Sequence, residues 1–453
     1  MTNGIDFIVS FYALLKLGAC INPFNFRLSL PELIAVQAEV SCDIIITSPS
    51  FAALLEPERT NTNNVKLILT EPMGAYPNLS SFLSNGHDLW EFYEDMAEKD
   101  VIFNIFTGGT TGTPKAASHT HQGTLVRVIG YLLDQRTGSP DDVYLNYAPL
   151  FHIGGIAGML RMLSMGATFC LLDSFDPDEI AKTIRAEKVT QMSLIPPTIL
   201  NRFDQLPPEN TPDLSSVRIL QLAGGACDEG TLELAFKLMP NVLCVNSLGS
   251  SENTAYISNV FGKEDFLANR KIYLALGKPQ IFYDTKLIKE DGSAAAIGET
   301  GELYGKGMAL MAGYYGKSNC FTSDGWFPSG DILSKSTDGN YYFCSRCKDM
   351  IKSGGENIYA VEVENAIRSG NEEKISECAV FGLPDKQWGE VVAAAVVLRP
   401  GVEMTADDII CHCRKRIASF KKPREVFFLN ELPHSSLGKV QKSVLREMLM
   451  IKS

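Results

Sequence analysis

The chain has no block of like charge from which a basic stripe could form. Its 453 residues carry 41 Lys and Arg against 53 Asp and Glu, a formal charge of −12. Duplex nucleic acid, whose binding rests on neutralising phosphates, is not an expected partner. A long uninterrupted apolar run is also missing. The stretch Ile5 to Ile21 contains Asp6 and Lys16, with no basic leader and no small-residue cleavage site, so it reads as neither signal peptide nor membrane span. The 11 cysteines are odd in number and scattered, many of them in apolar strings such as ATFCLLD around Cys170 and NVLCVNS around Cys244, where a thiol acts as a small hydrophobe. That usage fits a reducing compartment, and the cytoplasm is the expected location. There is no internal repeat and no low-complexity linker. What is present is ordinary globular composition, 45% hydrophobic and 21% charged, at a length that suits two to four domains.

From about residue 42 to 260, short β-rich runs alternate with amphipathic helical stretches: CDIIITS, VKLILT, VIFNIFT, ATFCLLD, VTQMSLI, VRILQLA and VLCVNS. This rhythm predicts an α/β layer, a mostly parallel sheet covered by helices. One helix start is well marked, with Asp176 as cap, Pro177 in the first turn and Glu179 three residues after the cap. After about residue 270 the texture changes to short strands with Gly turns, including Asp291-Gly292 and Asp338-Gly339, which suggests a small β-barrel-like unit over 270–345. From Arg346 onward a helix near Ala360 to Ile367, two apolar strands (ECAVFGL and VVAAAVVL) and a helix near Thr405 to Ile417 predict a separate α+β domain, 346–453, after a large region, 1–345.

The segment Thr107 to Lys115, TGGTTGTPK, follows the run VIFNIF. Gly108, Gly109 and Gly112 let the backbone approach a ligand with its N–H groups, Thr107, Thr110 and Thr111 add hydroxyls, and Lys115 adds charge; together they suit a polyphosphate. The P-loop pattern G-x-x-x-x-G-K-[ST] is not met. Two more Gly loops follow predicted strands, AGGA at Ala223 to Ala226 and LGSSE at Leu248 to Glu252. Each alone would more often be a plain turn, with Glu252 a solvated surface carboxylate. Loops at the carboxyl ends of strands in one open sheet are expected to converge on a ligand.

These loops, together with YAPLFHIGG (Tyr147 to Gly155), DGWFPSGD (Asp324 to Asp331), SRCKDMIKSGGENIYAVEVE (Ser345 to Glu364) and PHSSLGKVQK (Pro433 to Lys442), stand in the order and spacing of the adenylate-forming superfamily. Along essentially its whole length the chain resembles an acyl-CoA synthetase. The resemblance implies that a carboxylate attacks the α-phosphate of ATP, pyrophosphate leaves, and the thiol of coenzyme A then attacks the acyl adenylate. It implies that Thr107 to Lys115 hold the phosphates and that Gly224, Gly225 and Ala226 line the adenine. By the same resemblance Leu248 and Gly249 are expected to bind ATP, Ser251 to contact the α-phosphate and Glu252 to bind Mg2+. Asp331 and Arg346 hold the ribose. Lys439 is the catalytic lysine, Lys348 the hinge, Gly354 and Gly355 the wall of the CoA channel, and His152 and Gly154 part of the acyl pocket. Lys442 reads as a solvated charge at the start of the final helix.

The chain departs from the family pattern at several points. Leu248 stands where the family commonly has an aromatic residue on adenine, and Gly108 and Ala116 replace the commoner Ser and Gly. Met1 aligns well inside the amino-terminal domain, so the family's opening strands and helices are expected to be absent, the chain being either a truncated product or one whose exposed face another chain covers, in a homodimer for example. Cys344 to Cys347 resembles a CxxC, and Cys411-His412-Cys413 a metal fragment, but neither has a correctly spaced second pair and neither is read as a metal site. Two further functions stay open: an adenylation enzyme that loads a non-amino-acid carboxylate onto a carrier protein, and a non-catalytic remnant. His152 stands where amino-acid-loading members have Asp. A serine hydrolase is disfavoured because GSSEN does not give G-x-S-x-G.

Overall fold

The computed structural model describes residues 1–55, 65–85, 96–107, 114–135, 138–194, 197–203, 213–225, 227–253, 255–434 and 440–450. Ile5 to Lys16 forms helix α1, and Leu30 to Val40 forms α2, whose start is fixed by the Glu32 carboxylate accepting the Ser29 N–H at 2.7 Å. A parallel pair follows, β1 (Ile44–Thr47) and β2 (Lys66–Leu69), with α3 (Pro49–Leu55) between them and α4 (Leu79–Asn85) after them. Among the described residues no helix is long and apolar enough to cross a membrane.

The central sheet has eleven strands. Its parallel half runs in the order β6 (Thr168–Leu171), β5 (Val143–Asn146), β7 (Gln191–Leu194), β8 (Ile219–Leu222) and β9 (Leu243–Leu248). Every residue of β7 is buried, as a strand covered on both faces requires. The covering helices are α5 (His121–Gln135), α6 (Ile153–Ser164), α7 (Pro177–Glu187) and α8 (Glu229–Leu238). Helix α7 starts where the sequence marks it, with Asp176 accepting the Glu179 N–H at 3.0 Å. Its Ile180 and Ile184 join Met192, Leu220, Phe236 and Cys244 in one core, so Cys244 does serve as a small hydrophobe.

Beyond β9 the sheet turns antiparallel. Next come β10 (Ile257–Phe261), β11 (Ala275–Pro279) after the short α9 (Lys263–Ala268), and β12 (Tyr283–Ile288), β13 (Thr300–Gly307), β15 (Phe327–Lys335) and β16 (Tyr341–Arg346). Ser336 donates its N–H to the Asn340 carbonyl, so Asp338-Gly339 makes the turn between β15 and β16. These strands share a core of Tyr256, Leu287, Leu303, Leu333 and Tyr341.

One expectation is corrected. The run VIFNIF does not enter the parallel sheet: β3 (Val101–Phe106) pairs antiparallel with β4 (Ala116–Thr120), which pairs with β14 (Gly313–Tyr314) in a separate three-stranded sheet. A parallel neighbour needs a crossover of a dozen or more residues, whereas only nine separate β3 from β4, enough for a hairpin.

After β16 a 3-10 turn, Cys347 to Asp349, leads into β17 (Ile351–Ser353) and β18 (Glu356–Ile358). Helix α10 (Ala360–Arg368) packs on the long hairpin of β19 (Ile375–Asp385) and β20 (Gly389–Leu398), followed by α11 (Ala406–Arg414), β21 (Glu425–Phe428) and α12 (Lys442–Met450). Two cores lie on the two faces of this sheet. Val380, Val392 and Ala394 meet α10 and α11 on one, and Ala379, Ala393 and Ala395 meet α12 on the other. The near-continuous apolar run VVAAAVVL records that double burial.

Candidate active site

The β3–β4 hairpin closes with Thr107 donating its N–H to the Lys115 carbonyl at 2.8 Å, which brings both ends of the phosphate-loop motif together. Gly108, Gly109, Thr110, Thr111 and Gly112 lie outside the described residues, as do Ala226 and Lys439. The three Gly loops therefore rise from two sheets, one from the β3–β4 hairpin and two from β8 and β9. Their described residues nevertheless line one cleft of about 3090 Å³, to which Thr107, Gly224, Gly225, Gly249, Ser251 and Glu252 all contribute. Asp331, Arg346, Lys348 and His152 line the same cleft.

Each side chain has a positional cause. Asp331 and Arg346 are cross-strand partners on β15 and β16, so their side chains meet, and Arg346 Nε lies 3.4 Å from Asp331 Oδ1. Asp331 is buried, which keeps its carboxylate fixed beside the cleft. His152 sits directly before the first turn of α6, against the Phe151 ring, with Gly154 in that first turn.

Glu252 is held by residues outside the motifs. Tyr314, on β14, donates its phenol to Glu252 Oε1 at 2.6 Å, while Lys115 Nζ stands 5.1 Å over the Tyr314 ring. Burial and the adjacent carboxylate push the Tyr314 hydroxyl well above its ordinary range, so it remains a donor. Ser251 is fixed through its carbonyl, which faces His119 Nε2 at 2.9 Å. Neither Tyr314 nor His119 stands out in the sequence; the available signal is the position of His119 four residues beyond Lys115, on the strand that Lys115 leads into. Among the described residues no three His, Cys, Asp or Glu side chains converge as a metal cage. A hard cation bound by one carboxylate needs the phosphates and water for its other ligands, which is how magnesium is commonly held.

Some expected residues lie elsewhere. Leu248 is half-buried against the core of the antiparallel half-sheet, and Gly249 is the first residue of its loop to line the cleft. Gly354 and Gly355 form the two-residue turn between β17 and β18, with φ of +61° and +84°. Lys442 starts the final helix but is not a solvated charge: it is about a fifth exposed and pairs with Glu364 at 2.6 Å. The packing of α12 on β19 brings that carboxylate within reach. Cys411 is exposed and Cys413 buried, so they point to different sides of α11.

Two family models match the chain, the AMP-binding enzyme over residues 1–315 and the AMP-binding enzyme C-terminal domain over residues 362–439. The chain is 31% identical to the indoleacetate–CoA ligase of Aromatoleum aromaticum, covering 100% of this chain and 88% of that protein. It is likewise 31% identical to a feruloyl-CoA synthase of an Amycolatopsis species, over 98% of this chain and 87% of that protein. Its fold matches the anthranilate CoA ligase AuaEII in complex with anthranoyl-AMP, with a TM-score of 0.88, 24% identity, and coverage of 100% of this chain and 87% of that one. With these matches spanning both of its halves, the chain belongs to the AMP-binding enzyme family of adenylate-forming carboxylate–CoA ligases.

Proposed function

We propose that the chain couples ATP to thioester formation on coenzyme A, with the motif residues of the cleft in the roles that the family resemblance gives them. The observation that carries this reading is the convergence of Thr107, Gly224, Gly225, Ser251, Glu252, Asp331 and Arg346 on one cleft from two sheets and two β-hairpin strands. In the first step a carboxylate oxygen attacks the α-phosphorus of ATP and pyrophosphate leaves. In the second the CoA sulfur attacks the acyl carbon, its proton is lost, and AMP leaves with the bonding pair.

Asp331 accepts the ribose hydroxyls, since an ionised carboxylate offers acceptors to both. Arg346 keeps that carboxylate in place. Gly224 and Gly225 let the adenine lie close to the backbone. Glu252 would hold magnesium, which would supply charge neutralisation at the phosphates. Tyr314 leaves Glu252 Oε2 for this task by engaging only Oε1. Lys439 supplies a positive charge to the α-phosphate oxygens as negative charge develops there. Residues 346–453 form the mobile domain, hinged near Lys348. All 11 cysteines are free, in keeping with a cytoplasmic enzyme.

The test is pyrophosphate release from ATP and Mg2+ over a panel of aryl and aliphatic acids, followed by thioester analysis with free CoA and with a phosphopantetheinylated carrier. The expected outcome is acid-dependent release and a CoA thioester. Absence of release with every acid in the panel, from folded protein, would leave the remnant reading standing.

A further inference from the structure

His119 is buried, 1% exposed, and its ring stacks on Phe103 of the paired strand with centroids 4.9 Å apart. Its Nδ1 lies 2.8 Å from Arg127 Nη2, and its Nε2 lies 2.9 Å from the Ser251 carbonyl oxygen. A guanidinium only donates, so Nδ1 is the acceptor, and the ring proton sits on Nε2 and is donated to Ser251. Arg127 Nη2 also donates to the Ala309 carbonyl at 2.9 Å. Past Ala309, Met311 donates its N–H to the Glu252 carbonyl at 2.9 Å, and Tyr314 donates to Glu252 Oε1 at 2.6 Å. Arg127 is 6% exposed, and no carboxylate among the described residues pairs with it; phenols of Tyr131 and Tyr283 surround it. Burying a guanidinium this way is costly, and an apolar side chain on α5 would fill the space more cheaply. The arrangement needs a reason other than packing.

We infer that the buried Arg127–His119 pair is a positioning device for adenylation, holding the Ser251–Glu252 peptide in register with the phosphate loop that the same strand, β4, carries. The inference rests on the functional reading above. Lys115 begins the run into β4 and His119 lies within it, so the strand fixes the spacing between the two loops that grip the phosphates and the cation. Arg127 fixes the tautomer, because without a donor at Nδ1 the imidazole could place its proton on either nitrogen. Through Ala309 it also aligns the segment that ends in Tyr314.

Two measurements on the full chain test this. In hydrogen–deuterium exchange without ligands, His119→Leu is expected to speed exchange of a peptide spanning residues 248–256 by about tenfold or more while β7 and β8 exchange as before. His119→Gln, whose amide reaches the Ser251 carbonyl, is expected to restore most of the protection. In magnesium-dependent ATP–pyrophosphate exchange, His119→Leu is expected to lower kcat and raise the half-saturating magnesium concentration by about 10- to 100-fold, the scale for outer-shell partners of a metal ligand. The carboxylate KM should stay within about twofold, and Gln should again rescue. Unchanged protection of 248–256 in His119→Leu overturns the inference, as does a loss spread evenly over the sheet with the magnesium response intact. If the parent chain shows no exchange activity, the functional reading fails by itself and the protection measurement still decides the brace. Should His119→Leu not fold, Arg127→Lys takes its place, because a lysine keeps the charge but reaches Nδ1 or the Ala309 carbonyl and not both.

Discussion

His119 also leaves a mark on stability. Burial and the neighbouring Arg127 hold its imidazolium well below the ordinary histidine range, while in the unfolded chain it titrates near about 6.5. Below that pH the unfolded state takes up a proton that the folded state refuses, so folding stability falls as pH drops and is regained as pH rises. The slope is at most about 1.4 kcal/mol per pH unit for one proton. His119→Gln abolishes this titration, so its denaturation free energy between about pH 7 and pH 5 should fall less steeply than that of the parent. A parent and variant with parallel curves would show that the ring takes up its proton alike in the folded and unfolded chain. Neither His119 nor Tyr314 could have been assigned a role from the sequence, for a physical reason. The His119 to Ser251, Arg127 to Ala309 and Tyr314 to Glu252 contacts join residues 132, 182 and 62 positions apart, and their geometry exists only once two sheets have packed. Asp331 and Arg346 were legible because their motifs are local, although that they face each other across a strand pair was not.

The reach of local signals is clearer among the elements. The α7 cap, the buried parallel strands and the β19–β20 hairpin all appear where capping and apolar runs place them, since these depend on neighbours within a few residues. The run VIFNIF misled because a strand's composition does not reveal the direction of its partner. The two glycines at 354 and 355 raise a related ambiguity. A close approach to a ligand and a tight turn both call for glycine, and the structure gives the turn a sufficient cause. Gly354 needs its missing Cβ twice over, since its φ is +61° and a Cβ would lie 2.7 Å from Trp388 Cε3. At Gly355, with φ of +84°, a Cβ would meet nothing within 4 Å. Gly354→Ala should therefore cost about 2 kcal/mol or more, and Gly355→Ala about 1 kcal/mol, by denaturant unfolding. A larger loss at Gly355 would contradict this placement of the turn.

For the whole molecule, the question is what the last hundred residues present to the cleft. Here Glu364, Arg368, His434 and Val440 face it, and the Gly354-Gly355 turn does not. His434 and Val440 bridge as antiparallel neighbours, and both line the cleft. Among the described residues, polar contacts across to the large region include Arg368 to Asp228 at 3.8 Å, Lys352 to Glu290 at 2.6 Å, and the Thr300 and Tyr359 hydroxyls at 2.7 Å. Lys352 and Glu290 are both exposed, and a pair of that kind contributes little to holding the two regions together. If rotation near Lys348 separates the half-reactions, two substitutions should show opposite selectivity. Lys439→Ala should cut acyl-adenylate formation by about two to three orders of magnitude and largely spare thioester formation from a supplied adenylate. Lys348→Pro, which restricts φ within the 3-10 turn Cys347 to Asp349, should spare adenylation and slow thioester formation by about tenfold or more. Single-turnover kinetics of both steps in each variant provide the check. Equal losses in the two steps for Lys439→Ala would mean that one fixed arrangement of the two regions serves both reactions, and the weak polar contacts between them would then need another explanation.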